Sequence, residues 1–322
     1  MQYRRLGRTG LRVSEIGFGA WGIGKGWWGE TSDALSVRAL TRAFDLGIHF
    51  VDTAYYYGTG HSERLIAKAF EVYGKRFPVA TKVPLKSPDW PPPPGTPAAE
   101  AFPPDWIVDH TEKSLRNLRT DSIDLQQLHI WRDEWLDESD WQEAVARLKA
   151  DGKIRSFGIS LIDHEPETGL RAVQSGVVDS VQVIYNIFDP SPARELFPLC
   201  LRHDVGVIAR VPLDEGSLGG VWTAETRFES GTFQAHYFRD ARLKEACARA
   251  DRLREFLGPA ADSLPKLALK FCLSHPAVST VIPGMRTPEH ADANAAASDG
   301  TPLPRPVLES LAEHAWPRNF YD

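Results

Sequence analysis

Seven short, β-rich apolar runs recur along the chain, and most of them stop on a polar residue. They are IHFVD (48–52), FPVATK (77–82), SIDLQQLH (122–129), KIRSFGIS (153–160), SVQVIYN (180–186), VGVIARVP (205–212) and STVIPG (279–284). Their ends fall at 52, 82, 129, 160, 186, 212 and 284, so the successive gaps are 30, 47, 31, 26, 26 and 72 residues. A strand–helix unit takes roughly 30 residues. Spacing near that value calls for parallel strands joined by helical crossovers.

Helical patterns fill the gaps. SDALSVRALTRAFDLG sets Leu40, Ala43, Phe44 and Leu46 on one face, with Ser32 or Asp33 as N-cap and Gly47 as the stop. DESDWQEAVARLKADGK does the same with Trp141, Val145 and Leu148, ending at Gly152. With SEIGFGA (14–20) as a first strand, eight strands alternate with helices. Eight units favour a closed (β/α)8 TIM barrel over an open doubly wound sheet. The 322 residues fit one such domain, 1–322, since these barrels run to about 250 residues plus insertions.

Three segments are too long for simple connections: the proline-rich 83–104, then 212–238, and 285–322 with its tail HAWPRNFYD. All three follow the C-terminal ends of strands, the face on which barrel enzymes build their sites.

A net charge of −6 offers no basic surface for nucleic acid or an anionic membrane. The N-terminal MQYRRLGRTGLRVSEIG has no apolar signal core, and no run approaches the ~18 apolar residues of a membrane span. Cys200, Cys247 and Cys272 are odd in number and lack metal-ligand spacing, as expected of reduced thiols in a cytoplasmic protein. GFGAWG (17–22) spells the dinucleotide fingerprint, but Gly24, Gly26 and Gly29 follow where that fingerprint needs a helix. A Rossmann reading is therefore set aside.

Asp52, Lys82 and His129 close the second, third and fourth strands, and Tyr57 lies just past the second. Singly, Asp52 could cap a loop, Lys82 could be an exposed charge and His129 a core histidine. Together they are the parts of a carbonyl-protonating site. A tyrosine has a pKa near ~10. A neighbouring ammonium stabilises its phenolate, and a carboxylate keeps that ammonium charged. A histidine opposite can hydrogen-bond the oxygen on which charge develops.

At these residues the chain resembles the aldo-keto reductases, and the likeness runs over nearly its whole length. The family's D-T-A-x-x-Y-G appears as DTAYYYG, followed by GHSERLIAKAF; the lysine strand is VATKV and the histidine strand DLQQLHIW. RTGLRVSEIGFGAW matches the N-terminal segment, which in the family is a β-hairpin closing the barrel bottom. The resemblance implies that Tyr57 is the proton donor, with Asp52, Lys82 and His129 completing a catalytic tetrad.

It also implies an extended nicotinamide dinucleotide across the barrel top. Ser160 and Gln182 match the carboxamide positions, and Trp21 lies at the same mouth. Arg210 stands where the family usually stacks an aromatic ring, and Leu213, Gly216 and Ser217 match the loop over the pyrophosphate. Gly284, Met285, Arg286, His290 and Asn294 match the adenosine end. A fixed guanidinium fork suits a 2′-phosphate, so Arg286 favours NADPH/NADP+, with NADH as the alternative. Leu161 for an asparagine, His290 for a glutamine, and Arg210 depart from the family pattern, and bear on affinity and on NADPH/NADH discrimination.

Trp21, Tyr55, Trp90 and Trp131 fall at or just after strand ends and suit an apolar or ring-shaped carbonyl or alcohol, or else brace loops. Tyr56 reads as core or loop packing. The expected activity is reversible NADP(H)-dependent reduction of an aldehyde or ketone. A redox-sensing regulatory subunit of the same fold, like the potassium-channel β subunits, is the alternative. A metal-dependent barrel enzyme is disfavoured because the ten histidines show no H-E-x-x-H spacing. Substrate identity, direction and oligomeric state are left open.

Overall fold

A hairpin comes first: β1 (Tyr3–Arg5) pairs antiparallel with β2 (Arg12–Ser14), Tyr3 opposite Ser14. Eight parallel strands follow in sequence order. They are β3 (Phe18–Gly19), β4 (Val51–Asp52), β5 (Val79–Val83), β6 (Ile123–Leu128), β7 (Ile154–Ser160), β8 (Ser180–Ile184), β9 (Gly206–Arg210) and β10 (Val278–Val281). Parallel bridges Ile16–Val281 and Gly19–Gly284 join the first to the last, and Gly17 N–H donates to Val281 O at 2.7 Å. The sheet closes on itself and leaves no edge. This is the (β/α)8 barrel that the eight-fold recurrence predicts. The computed structural model describes residues 1–29 and 31–321.

The helices are α1 (Asp33–Asp45), α2 (His61–Tyr73), α3 (Ala98–Ala101), α4 (Pro104–Leu118), α5 (Asp140–Ala150), α6 (Leu170–Ser175), α7 (Leu196–His203), α8 (Phe233–Tyr237), α9 (Arg242–Arg252), α10 (Leu264–Leu273), α11 (Pro288–Ala295) and α12 (Arg305–Ala312). Ser32 caps α1 by accepting from Leu35 N, and Gly47 follows that helix in the left-handed region. Leu40, Ala43 and Phe44 are buried, as are Trp141, Val145 and Leu148 on α5. Each large side chain removed from water in this way contributes about 1.5–3 kcal/mol. The 47-residue gap holds α3 ahead of α4. The 72-residue gap holds α8, α9 and α10.

The hairpin plugs the barrel from below. Leu6 and Val13 pack with Phe50, Ala80, Leu125, Ile208 and Ile282 in one cluster inside the strands. A separate aromatic cluster sits beyond the barrel core: Phe233, Tyr237 and Phe238, with Trp21, Trp28 and Tyr321 packed against it. The three cysteines are buried and unbridged. The GFGAWG stretch forms β3 and a 3-10 turn (Trp21–Ile23), with no helix at its second glycine. Among the described residues, no helix is long and apolar enough to cross a membrane.

Candidate active site

Side chains two residues apart on a strand share a face. Counting up by two from the plugged apolar layer, Phe50 leads to Asp52, Ala80 to Lys82, Leu125 to Gln127 and Ile208 to Arg210. The next layer toward the C-terminal mouth is therefore polar. It is also nearly dry: Asp52 is 2% exposed, and Lys82 and Gln127 are 0% exposed.

The Lys82 ammonium donates to Asp52 Oδ1 at 2.6 Å and to Thr53 O at 2.8 Å. Gln182 Nε2 donates to the other carboxylate oxygen at 2.8 Å, and Gln127 Nε2 reaches it at 3.4 Å. Burial pulls the Lys82 pKa down, and the Asp52 charge offsets part of that pull. Neither alternative for these two residues fits: the lysine is not an exposed charge, and the aspartate caps no loop.

Tyr57 stands in the turn between β4 and α2. Its N–H donates to Ala54 O, and its carbonyl accepts from Ser62 N. A chain of hydroxyls ties that turn down, from Thr53 Oγ1 to Ser62 Oγ at 2.9 Å and from Ser62 Oγ to Ala20 O at 3.0 Å. Gly24 lies so close that an added Cβ would sit 2.8 Å from Tyr57 Cβ and 2.9 Å from its carbonyl carbon. Lys82 Nζ is 5.2 Å from the Tyr57 ring centroid, and the His129 ring is 5.6 Å away, nearly perpendicular. The four residues of the expected tetrad thus meet at one place.

One expectation about them is corrected. A nearby ammonium should lower the Tyr57 pKa, yet burial, reinforced by the Asp52 charge, pushes it well up. Desolvation of the half-buried phenol penalises phenolate more than the Arg210 charge favours it, so Tyr57 holds its proton. His129 is driven the other way: burial, Lys82 and Arg210 keep its imidazole neutral. Its Nδ1 is buried without a hydrogen-bond partner among the described residues.

The mouth is aromatic. Trp21 lies 6.1 Å from the Tyr57 ring, and Trp28 and Phe233 pack edge-on to Trp21. Trp90, 47% exposed, sets its ring 5.2 Å from His129. Tyr56 is not core: it is 66% exposed, with its ring 6.4 Å from His129. Trp131 does not line the mouth, because it is fully buried against Trp135 and Trp141. Tyr55 turns outward onto α4, 4.9 Å from His110 and with Lys113 over its ring. For these two, packing takes the place of the substrate role.

The expected cofactor residues divide similarly. Ser160 ends β7 beside Gln182, whose amide nitrogen is committed to Asp52. Arg210 Nη2 donates to Leu161 O at 3.0 Å and to Asp163 Oδ1 at 2.6 Å, so the departures at 161 and 210 touch each other. Leu213, Gly216 and Ser217 lie in the loop after β9, where Ser217 donates to Asp214 Oδ2. Gly284 is exposed ahead of α11, with open space where a side chain would stand. Arg286 crosses Gly22 to reach Gly29 O, and its N–H donates to the exposed His290. The Met285 side chain is fully buried, and Asn294 turns inward to donate to Gly284 O at 3.5 Å.

Sequence reasoning missed several participants. Gln127 was within reach, since it continues the Leu125 face and pairs in register with Lys82. Asp163, Asp214, Glu215, Arg318 and Tyr321 come from loops and the tail, whose placement has no periodicity to betray it. Among the described residues, no group of three His, Cys, Asp or Glu side chains is arranged to hold a metal ion.

A barrel carrying this constellation has known counterparts. Residues 15–315 match the model of the aldo/keto reductase family. The aldo-keto reductase YhdN of Bacillus subtilis (strain 168) is 32% identical over 298 residues, covering 91% of this chain and 87% of its own length. The NADH-specific methylglyoxal reductase of Escherichia coli (strain K12) is 27% identical over 316 residues, 91% of this chain and 92% of that protein. Among solved structures, the holo form of aldo-keto reductase AKR11C1 from Bacillus halodurans superposes with a TM-score of 0.76 at 30% identity, covering 100% of both chains. Sequence and fold agree from the bridge at Ile16 to the tail: the chain belongs to the aldo/keto reductase family of oxidoreductases.

Proposed function

We propose that this chain reversibly reduces an aldehyde or ketone to an alcohol with NADP(H). The observation that carries it is the dry Lys82–Asp52 pair beside the Tyr57 ring, with the His129 ring nearly perpendicular to it. Nicotinamide, when bound, supplies the hydride. Everything else falls to the chain.

The Tyr57 hydroxyl has no hydrogen-bond partner among the described residues, so its proton is available to a carbonyl oxygen at the mouth. Lys82, pinned by Asp52 and Thr53 O, brings positive charge to the face of that ring as the proton leaves. His129 offers a neutral N–H to the same oxygen and orients it. The aromatic wall of Trp21, Trp28 and Phe233 on one side, and Trp90 and Tyr56 on the other, suits a neutral, ring-bearing substrate.

The chain has groups suited to the dinucleotide. Ser160 and Arg210 lie at the strand ends beside the tetrad, and the 211–219 loop rises next to them. The open Gly284 precedes α11, whose N-terminus is capped by Thr287. Arg286, on that approach, is the residue we assign to a 2′-phosphate. A relative of this chain is NADH-specific by name, so a preference for NADPH has to come from such local residues.

Tyr57→Phe tests the chemistry. Fold and dinucleotide binding should persist while turnover falls by roughly 10²–10⁴-fold, the usual worth of a general acid. Undiminished rates in that variant would end the proposal. Tryptophan-quenching titrations with NADPH and NADH test the cofactor, with Arg286→Ala expected to weaken NADPH selectively. A chain that binds dinucleotide tightly and turns over nothing would point to the regulatory alternative.

A further inference from the structure

The C-terminal tail leaves α12 and folds back over the loop that follows β9. Trp316 N–H donates to Phe188 O at 2.8 Å, and Arg242 donates to Phe320 O at 2.8 Å. Arg318 then places its guanidinium 4.0 Å from Trp316 and 4.9 Å from Phe320. One nitrogen of that group, Nη2, reaches both carboxylate oxygens of Asp214 at 2.6 Å. The pair is dry: the two side chains are 7% and 1% exposed. Three residues on, Tyr321 Oη donates to Glu215 Oε1 at 2.5 Å.

What these contacts hold is a backbone that resists its own shape. Val211, Asp214 and Glu215 have φ of 56°, 48° and 54°, in the left-handed region that side chains disfavour. Such conformations persist only where surrounding contacts fix them. Asp214 and Glu215 are the two residues that the tail grips.

We propose that the tail is a latch on the dinucleotide. Arg318 is a positioning residue that fixes the 211–219 loop, and the dinucleotide departs only when Arg318 parts from Asp214 and Tyr321 from Glu215. The latch rests on the assignment, made above, of this loop to the dinucleotide. Arg318 contacts Asp214, Trp316 and Phe320 rather than the tetrad. Its effect should therefore appear in how long the dinucleotide stays.

The test is stopped-flow displacement of NADPH from the full-length protein, followed by tryptophan fluorescence without substrate. Arg318→Ala should raise the dissociation rate at least tenfold, and the association rate should change far less. Arg318→Lys keeps a cation but not the planar fork, and should fall between the two. Tyr321→Phe removes one hydroxyl and leaves the ring packed, so it serves even where Arg318→Ala does not fold. It should raise the dissociation rate roughly threefold or more, as expected for the loss of one hydrogen bond. Unchanged dissociation in folded Arg318→Ala or in Tyr321→Phe overturns the latch and leaves the proposed function standing. Failure of the parent protein to bind NADPH or NADH at all overturns both.

Discussion

Asp52→Asn strikes the site where it is least able to compensate. Lys82 and Asp52 meet at 2.6 Å with side chains only 1% and 3% exposed. At an effective dielectric of about 20, unit charges at that separation attract by roughly 6 kcal/mol, and desolvation of both ions cancels much of this. The amide keeps the desolvation of Lys82 and removes the attraction. It also has one acceptor where the carboxylate had two: Lys82 needs an acceptor on one side, and Gln182 needs one on the other. The expected loss is about 3–5 kcal/mol of folding stability, the usual cost of stranding one member of a buried pair. Urea unfolding at neutral pH, followed by tryptophan fluorescence and circular dichroism, reads it directly. Adding Lys82→Met removes the stranded charge, and the double variant should recover most of the loss. Asp52→Asn within about 1 kcal/mol of the parent would refute the reasoning, because the pair would then not be desolvated as its burial requires. So would a double variant no more stable than the single one.

Glu215→Gln probes the loop by pH. Burial pushes the Glu215 carboxyl up to about 7, reinforced by Asp214 and Asp163 and opposed by Tyr321 and Arg210; Tyr57, Tyr237 and Arg318 complete the surrounding titratable groups. A raised carboxyl favours the protonated folded state. Relative to the variant, the parent should therefore lose roughly 3 kcal/mol as pH rises from the ordinary 4.5 to about 7, and nothing further above it; parallel stability–pH curves would contradict this. Gly24→Ala drives a methyl to 2.8–3.1 Å from the Tyr57 Cβ, carbonyl carbon and Cα, which are too stiff to yield. Displacement of the Tyr57 turn should lower kcat by roughly a hundredfold while NADPH affinity holds; unchanged kcat would mean that the turn moves without consequence.

The parts legible beforehand were those that obey a period. Strand recurrence set the barrel, and runs such as Phe50–Val51–Asp52 ended on the residues that face the mouth. Short motifs around Tyr57, Lys82 and His129 placed the rest of the tetrad. Reading fails where position depends on how a loop or a side chain turns. Tyr55 and Tyr57 are two residues apart in a turn, not on a strand, so nothing local says that one faces α4 and the other the mouth. Trp131 and Trp90 look alike in sequence, yet one is sealed against Trp141 and the other stands beside His129. Arg318 and Tyr321 lie over a hundred residues from their partners. The direction of the Tyr57 shift was missed for another reason: motifs name the neighbouring charges but not the depth of burial, and here burial wins.

Charge bookkeeping across the barrel top explains why that direction matters. Lys82 is matched to Asp52, Arg210 to Asp163 and Arg318 to Asp214. Glu215 is the surplus acid, and it holds its proton up to about 7. Below that pH these groups sum to no net charge. The two groups left facing the mouth, Tyr57 and His129, are both neutral. In the proposed reaction a neutral carbonyl would therefore enter without leaving an ion unpaired, and it would meet two hydrogen-bond donors. Charge appears only when Tyr57 gives up its proton, and it appears on the ring beside Lys82. A buried cation that is already paired is poorly placed to bind a ground-state anion, but it is well placed to stabilise one that forms during reaction. On the proposed mechanism, the same residues that make the phenolate costly at rest would confine its formation to the moment when a carbonyl oxygen accepts the proton.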